Sequence, residues 1–277
     1  MKLFSLSSFT LALFAMGASC FSAVVLQDDF SSYTAGDPLP WNSSSNATSG
    51  EAYTRTLVEA DAANLFGKGV NNQYASFEVH SISQQTISYT ATRIRTGTGF
   101  GRTGQIGFSF YQPSSADNSG YGFLLRIGGG TGYNSNGSTA FGLFFRDGNL
   151  YAATGNNLAR GDLLGAYDQD QVNQLVIVYN QTTASHHYTG GGLQAQSMDL
   201  WLNGEKIASN LLHAGELAGD TDLTWLNFTN LGQVSSATLY LDDLVIDDVA
   251  SIPEPKTVLM LLPALFAIRL LRRRSHR

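Results

Sequence analysis

Carboxylates gather at the two ends of the segment 24–250, where they could bind a metal ion. The first and last strands of a β-sandwich commonly pair, so oxygen ligands from both ends would converge on a hard cation such as Ca²⁺. Because neighbouring side chains of a strand point to opposite faces, we select only Asp29 and Asp243 as ligands of a structural Ca²⁺. The alternative is that these carboxylates are solvated and keep strand edges from aggregating. The acidic residues concerned are Asp28, Asp29, Asp242, Asp243, Asp247 and Asp248.

Carboxylates suited to glycoside hydrolysis do not occur as a closely spaced set. That reaction needs two carboxylates placed across a cleft, whereas the glutamates stand apart at positions 51, 59, 78, 205 and 216. Their convergence from separate strands stays open. The chain also lacks a Gly-x-Ser-x-Gly elbow, and the adjacent His186 and His187 diverge on an extended chain. We therefore predict no enzymatic activity and no required cofactor.

Aromatic side chains could bind sugars without catalysis. The chain holds three tryptophans and twelve tyrosines, and aromatic rings can stack on the faces of pyranose rings. The alternative is core packing, which we favour for each of Trp41, Trp201 and Trp225. Trp201 faces away from its neighbours Leu200 and Leu202, so the pattern leaves open which face of its strand is buried.

Period-two alternation predicts that short strands carry these side chains. Ile106, Phe108 and Phe110 alternate with small or polar residues, which indicates one buried face. Residues 175–178 are apolar on both faces, so their strand should be central. The predicted strands cover residues 24–30, 53–58, 74–80, 86–95, 105–111, 121–127, 140–146, 150–153, 172–180, 198–202, 206–209, 224–228 and 237–247.

Turn residues connect several of these strands as hairpins. Asp147-Gly148 and Asn203-Gly204 lie between apolar runs, and both residue types tolerate the positive φ of a type I′ turn. Residues 211–217 are predicted to form a single short turn of helix. Many short antiparallel strands that each bury one face are best accommodated by two packed sheets. We predict an all-β, two-sheet antiparallel jelly-roll sandwich, because no fixed-period repeat supports a β-helix or a propeller.

A resemblance supports this fold class. The run from Val172 to Asn180, together with the strand and the Asn203-Gly204 hairpin within residues 198–207, resembles the paired strands of laminin-G-like and concanavalin A-like domains. The opening residues 27–30 and the closing residues 239–246 are similar to the same class. The resemblance implies a concanavalin A-like sandwich and does not by itself imply a function.

The first 23 residues have the pattern of a secretory signal peptide. Lys2 provides a positive start, residues 3–16 are mainly apolar, and small residues precede Ala23. Cleavage there removes Cys20, the only cysteine, so the exported protein would have no disulfide. The chain then divides into a signal peptide at 1–23, one β-sandwich domain at 24–250 and a C-terminal segment at 251–277.

The C-terminal segment has three ordered parts. Pro253, Glu254 and Pro255 form a stiff, extended motif, and residues 257–271 are apolar and are followed by Arg272, Arg273 and Arg274. A membrane-spanning helix needs about 20 apolar residues, so this short run suits a processed signal, although a single short membrane anchor is the alternative. The arginines would lie on the cytoplasmic side of the inner membrane.

These three parts together resemble the PEP-CTERM sorting signal of Gram-negative bacteria. The resemblance implies recognition by an exosortase, a membrane-embedded cysteine protease or transpeptidase, which cuts near the Pro-Glu-Pro motif. It further implies a host that makes exopolysaccharide or biofilm material. Lys256 stands where the family usually has a small hydroxyl residue, and Arg269 interrupts the apolar run, which leaves the efficiency of processing open.

Charge excludes some classes of partner. Seven of the 16 Lys and Arg residues, but only one of the 22 Asp and Glu residues, lie outside 24–250, so this domain carries a net charge near −12. Such a surface repels nucleic acid and anionic lipid. We therefore predict a non-catalytic binding or adhesion protein of the cell surface or extracellular matrix with a polysaccharide ligand. The alternatives are a glycoside hydrolase or lyase on the same fold and a purely structural surface protein.

Overall fold

The computed structural model describes most of the predicted domain. It covers residues 24–39, 47–49, 52–80, 91–95, 99–114, 122–133, 135–189, 191–230 and 236–249. The predicted signal peptide at 1–23 and the predicted sorting signal at 251–277, with Pro253 to Pro255 and Arg272 to Arg274, lie outside the described residues. Within the described ranges, no helix is long and apolar enough to cross a bilayer.

The described residues form strands joined by turns and loops, with a single short 3₁₀ turn at Asn136–Ser138. In chain order the strands are β1 Val24–Asp28, β2 Ala47–Ser49, β3 Ala52–Ala60, β4 Gln73–His80, β5 Ala91–Arg95, β6 Thr103–Tyr111, β7 Phe123–Gly128, β8 Thr139–Arg146, β9 Asn149–Thr154, β10 Ala159–Ala166, β11 Val172–Asn180, β12 His186–Tyr188, β13 Gly191–Leu193, β14 Ser197–Leu202, β15 Glu205–Leu212, β16 Trp225–Asn230 and β17 Ala237–Asp247.

Two antiparallel sheets pack face to face, which confirms the predicted jelly-roll sandwich. The front sheet has the order β15-β14-β11-β6-β17-β4-β3-β2, and β1 also pairs with β17. The back sheet has the order β10-β9-β8-β7-β16-β5. A separate hairpin of β12 and β13 completes the described strands. The first and last strands therefore pair as predicted, with Asp28 opposite Leu244.

The core lies between the sheets and follows the predicted alternation. Ile106, Phe108 and Phe110 on β6 are at most 3% exposed and pack against side chains of both sheets. Phe110 meets Phe145 of the back sheet edge to face, with ring centroids 5.3 Å apart. Replacing such a buried phenylalanine with alanine typically costs about 3–5 kcal/mol. The neighbours Gly107 and Ser109 consequently face the opposite way, toward the outer surface of the front sheet.

The two predicted tight hairpins are confirmed. Asp147 and Gly148 have φ values of 48° and 69°, and Asn203 and Gly204 have 54° and 84°, as a type I′ turn requires. The predicted helical turn within 211–217 was wrong. β15 continues to Leu212. The amides of Ala214 and Leu217 then bond to carbonyls of β8 instead of to the carbonyls of the preceding turn, as a helix would require.

The predicted central strand at residues 175–178 is also confirmed. β11 lies between β6 and β14 in the front sheet, with Leu175 and Ile177 in the sandwich core. On the other face, Val178 packs under the β12–β13 hairpin. This hairpin, built from polar and glycine-rich sequence, was not among the predicted strands, and neither was β10.

Candidate functional site

Three tyrosines form a row across the outer face of the front sheet. They come from neighbouring strands: Tyr74 from β4, Tyr240 from β17 and Tyr111 from β6. The ring centroids of Tyr74 and Tyr240 are 4.7 Å apart, and those of Tyr240 and Tyr111 are 6.0 Å apart with planes only 14° from parallel. Tyr240 and Tyr111 are half-buried and Tyr74 is 8% exposed. We call these three residues the tyrosine row.

The phenols of the row are held in their neutral form. Burial raises the pKa of Tyr240 to about 12, and burial also raises the pKa of Tyr74. Burial and the nearby Asp170 raise the pKa of Tyr111. At physiological pH Tyr240 and Tyr111 therefore each present an uncharged, half-buried ring with a hydroxyl group at its edge, which can both stack and form hydrogen bonds, whereas Tyr74 is buried between Phe66 and Tyr240 and supports the row.

A groove of about 190 Å³ opens beside the row, at the border of β17, β6 and β11. Gly107 of β6 pairs with Val176 of β11 at its floor, and the missing side chain leaves the depression. Val245 contributes apolar surface, whereas Ser109, Gln174 and Asp243 provide polar groups. Ser109 lies two residues before Tyr111 on the same face of β6, so the groove and the row are continuous.

A β-bulge places two carboxylates at the edge of this groove. The register of β17 against β6 shifts between Asp242 and Val245, and Asp243 has a φ of 54°. Lys68 bonds to both carboxylates, at 2.9 Å from Asp242 and 2.5 Å from Asp243. The prediction that strand alternation sends Asp242 and Asp243 to opposite faces was therefore wrong, because the extra residue of a bulge interrupts the alternation.

The loop of residues 61–72 carries Lys68 to the bulge and is itself anchored. The Asp61 carboxylate accepts hydrogen bonds from the backbone amides of Leu65 and Phe66, at 2.6 and 3.0 Å. Asn72 donates to Asp242 at 2.9 Å, which ties the end of the loop to β17. Burial raises the pKa of Asp242 against the lowering effect of its bonds to Asn72 and Lys68.

The half of the outer face beyond the groove is closed by the β12–β13 hairpin. Tyr188 and Trp201 pack there edge to face at 6.2 Å. Under them, the Asp199 carboxylate is fully buried and accepts bonds from Tyr188 Oη, Lys206 Nζ and the amide of Asn210, each at 2.6 Å. We call the outer face of β11 and β14, with the exposed Lys206 of β15 at its edge, the covered half.

The outer face of β3, β4, β17 and β6 is the open half, and it carries two glutamates near the row. Glu59 lies directly opposite Tyr74 across β3 and β4, and Glu78 lies opposite Arg55. Burial and the charge of Glu78 raise the pKa of Glu59. Arg55 stacks over the ring of Tyr53 at 4.2 Å. Both glutamates are half-buried, so ligands can reach them.

The two predicted metal ligands have other partners. Asp29 is exposed and accepts bonds from the amide and hydroxyl of Ser31, at 3.1 and 2.7 Å. Asp243 is bonded to Lys68 and Ser109. In the part of the chain that the structure describes, no group of three or more His, Cys, Asp or Glu could hold a metal ion. The Ca²⁺ site at Asp29 and Asp243 therefore stays a prediction.

The predicted core role of two tryptophans is confirmed. Trp201 is 6% exposed beneath the hairpin, while Leu200 and Leu202 face the sandwich core, so both faces of β14 are buried. Trp225 is fully buried, and Trp41 lies outside the described residues. His186 and His187 line an open cavity of about 360 Å³ with Asp248. The tyrosine row was missed, because its members are separated in sequence and converge only through the strand order.

Comparisons with known proteins support the fold. No protein-family model matches the chain, and no curated protein matches it. Among solved structures, the chain is similar to a sialidase with 11% identity and a TM-score of 0.50, over 79% of this chain and 18% of that one. It is also similar to a carbohydrate esterase of Shiga toxin-encoding bacteriophage phi24B, with 14% identity and a TM-score of 0.50, over 83% and 100%. The chain thus spans under a fifth of the sialidase, and these identities show the fold alone.

Proposed function

We propose that the protein is an exported, non-catalytic binding protein that holds a polysaccharide on the open half of its front sheet. The tyrosine row beside a polar groove carries this proposal. Sugar rings present apolar C–H faces that stack on aromatic rings, while their hydroxyl groups need polar partners beside the stack. Tyr240 and Tyr111 supply the first element, and Ser109, Gln174 and Asp243 supply the second.

The size of the groove favours one unit of a longer chain. Its volume of about 190 Å³ is below the ~300–1,000 Å³ of pockets that enclose whole small molecules. A polysaccharide can place one residue in the groove and continue over the tyrosine row on the same face. The phage protein with a similar fold is named a carbohydrate esterase, which agrees with a carbohydrate ligand for this sandwich.

Binding assays on immobilised polysaccharides test this function. The double variant Tyr111→Ala/Tyr240→Ala should lose about five- to 150-fold in affinity, because each stacked ring contributes about 0.5–1.5 kcal/mol and about 1.4 kcal/mol corresponds to a factor of ten. Tyr151→Ala is the matched control, since Tyr151 is a half-buried tyrosine on the outer face of the back sheet. Absence of binding to every polysaccharide, with and without Ca²⁺, would contradict the proposal and favour a purely structural role.

The sorting of the protein is the second part of the proposal. The resemblance of residues 251–277 to a PEP-CTERM signal supports an exosortase as partner, contact of the precursor with the inner membrane and final residence at the cell surface or in an exopolysaccharide matrix. The mass of the mature protein from its native host tests this part. A product that ends near Pro253 to Pro255 is expected, whereas an intact chain that still carries Arg277 in the membrane would refute it.

A polysaccharide hydrolase or lyase is the second candidate function. Glu59 has a raised pKa on the same face as Glu78, and a carboxyl group with a raised pKa can act as a general acid. The test is release of reducing or unsaturated ends from polysaccharides that bind. Activity that disappears in Glu59→Gln or Glu78→Gln while binding persists would favour the enzyme over the binding protein.

A further inference from the structure

We propose that the polysaccharide bound by the open half is a cationic one, whose sugar units carry protonated amino groups. This inference rests on the proposed function and adds the chemical class of the ligand. It is carried by the charges beside the tyrosine row and by the way the covered half already holds an ammonium group.

Carboxylates outnumber cations around the row. Among the described residues of the open half and its adjoining loops, two cationic side chains, Arg55 and Lys68, face the half-buried or exposed carboxylates. Lys68 is already shared between Asp243 and the buried Asp242, and Arg55 lies over Tyr53. A uronic acid or a sulfated sugar would therefore meet more carboxylates than cations on this face, where Arg55 is the exposed cation that it can approach. The carboxylates concerned are Glu59, Glu78, Asp170 and Asp243.

The covered half shows how this face accommodates an ammonium group. Lys206 Nζ lies 2.6 Å from the Asp199 carboxylate and 5.1 Å from the centre of the Trp201 ring. A carboxylate supplies the opposite charge and the aromatic ring adds a cation–π contact. The same combination of groups therefore binds a primary ammonium within this molecule.

The open half also places carboxylates beside aromatic rings, but without an ammonium group of the protein at each ring. Glu59 lies directly across the strand pair from Tyr74. Asp170 lies near Tyr111, is exposed, and accepts a hydrogen bond from the amide of Ser114 at 2.9 Å. These two pairs stand at opposite ends of the tyrosine row, because Tyr74 and Tyr111 flank Tyr240. An amino sugar stacked on the row would place its ammonium group near one of the two carboxylates.

The test compares a cationic, a neutral and an anionic oligosaccharide, of which the first two share a backbone. The full-length chain is titrated at mildly acidic pH with glucosamine oligomers, N-acetylglucosamine oligomers of equal length and galacturonate oligomers. Glucosamine oligomers should bind about tenfold tighter than their neutral N-acetyl counterparts. That difference should shrink at about 0.5 M salt, where charges are screened. Galacturonate oligomers should bind weakest.

Charge variants locate the effect. Glu59→Gln/Asp170→Asn should reduce the preference for glucosamine over N-acetylglucosamine by at least about threefold. Asp162→Asn is the matched control, because Asp162 is an exposed carboxylate on β10 of the back sheet. The control should keep the full preference.

Other outcomes overturn the inference. Equal or tighter binding of neutral or galacturonate oligomers would show that the ligand is not cationic, while leaving polysaccharide binding intact. Poly-lysine that binds as tightly as the glucosamine oligomer would show unspecific attraction of amines and would refute a sugar site. Failure of all three oligosaccharides to bind would remove both this inference and the proposed function.

Discussion

The two halves of the front sheet contain similar side chains and use them differently. In the covered half, Asp199 and Trp201 lie beneath the β12–β13 hairpin, and Lys206 at its edge bonds to Asp199 and lies over the Trp201 ring. In the open half, Tyr240 and Tyr111 stack beside carboxylates with no hairpin over them in the described structure. Similar residues therefore lie inside the fold in one half and in contact with solvent in the other. The cover decides which half is accessible, because only uncovered groups can exchange water for a ligand.

The largest expected difference between the halves is in stability. Asp199→Ala leaves Lys206, Tyr188 and the amide of Asn210 without their shared acceptor. We expect the free energy of unfolding to fall by about 3–5 kcal/mol, because the Tyr188 hydroxyl and the Asn210 amide each lose their acceptor at about 1–3 kcal/mol and the exposed Lys206 loses its partner ion. Urea denaturation measures this change. In the open half Asp243→Ala, whose carboxylate is 44% exposed, should lose less than about 1 kcal/mol. Equal losses of stability in the two variants would contradict the distinction between the covered half and the open half.

Aromatic truncations should separate stability from binding. Trp201→Ala removes a ring that is 6% exposed and should cost about 3 kcal/mol of folding free energy. Tyr240→Ala, from the half-buried row, should cost roughly 1–2 kcal/mol and weaken polysaccharide binding. Denaturation and binding assays on both variants provide the measurement. A Trp201 variant that folds normally and loses binding would reassign the ligand site to the covered half.

The ion pairs that Lys68 forms at the β-bulge should give a smaller, pH-dependent contribution to stability. Because burial raises the pKa of Asp242, the folded chain retains a proton that the unfolded chain releases, and stability falls as pH rises between the two pKa values. Lys68 favours the ionised form of Asp242 and so opposes the effect of burial on its pKa. Lys68→Met should therefore lower the free energy of unfolding by about 1–2 kcal/mol at neutral pH.

The difference in stability between Lys68→Met and the native protein should shrink as the pH falls through the raised pKa of Asp242, because the protonated Asp242 no longer needs the ammonium group. Arg102→Met is the matched control. Arg102 pairs with Asp222 at 2.9 Å, but both side chains are at least 50% exposed, so its loss should change stability by less than about 0.5 kcal/mol. A loss of stability in Lys68→Met that is independent of pH would contradict an electrostatic role of Lys68.

The fold was largely predictable because its signals are local. Alternation along β6 identified the core face, Asp147-Gly148 fixed a hairpin, and the double-sided apolar run at residues 175–178 identified a central strand. The β12–β13 hairpin was not predictable, since its residues lack an apolar run and it is ordered by contact with Trp201. Only the pairing of β17 with β6 reveals the bulge at Asp242 and Asp243.

The site was less predictable because it depends on strand order. Tyr74, Tyr111 and Tyr240 are far apart in sequence, and each alone is consistent with any half-buried strand position. They form one row because β17 inserts between β4 and β6. The acidic residues at both ends of the domain stand out in the sequence. The partner of Asp242 and Asp243 is Lys68, which lies in a loop that no sequence pattern marks.

The smallest expected effect concerns the pH dependence of binding at Glu59. Burial and Glu78 raise the pKa of Glu59 against the lowering effect of Arg55, so Glu59 takes up a proton at higher pH than an ordinary glutamate. An ammonium ligand favours the ionised carboxylate, and affinity for a glucosamine oligomer should rise a few-fold as pH increases through that raised pKa. Glu59→Gln should remove this rise, whereas Asp162→Asn on the back sheet should retain it. Affinity that falls or stays level over this interval would show that Glu59 does not face the amino group, and would shift the contact to Asp170 at the other end of the row.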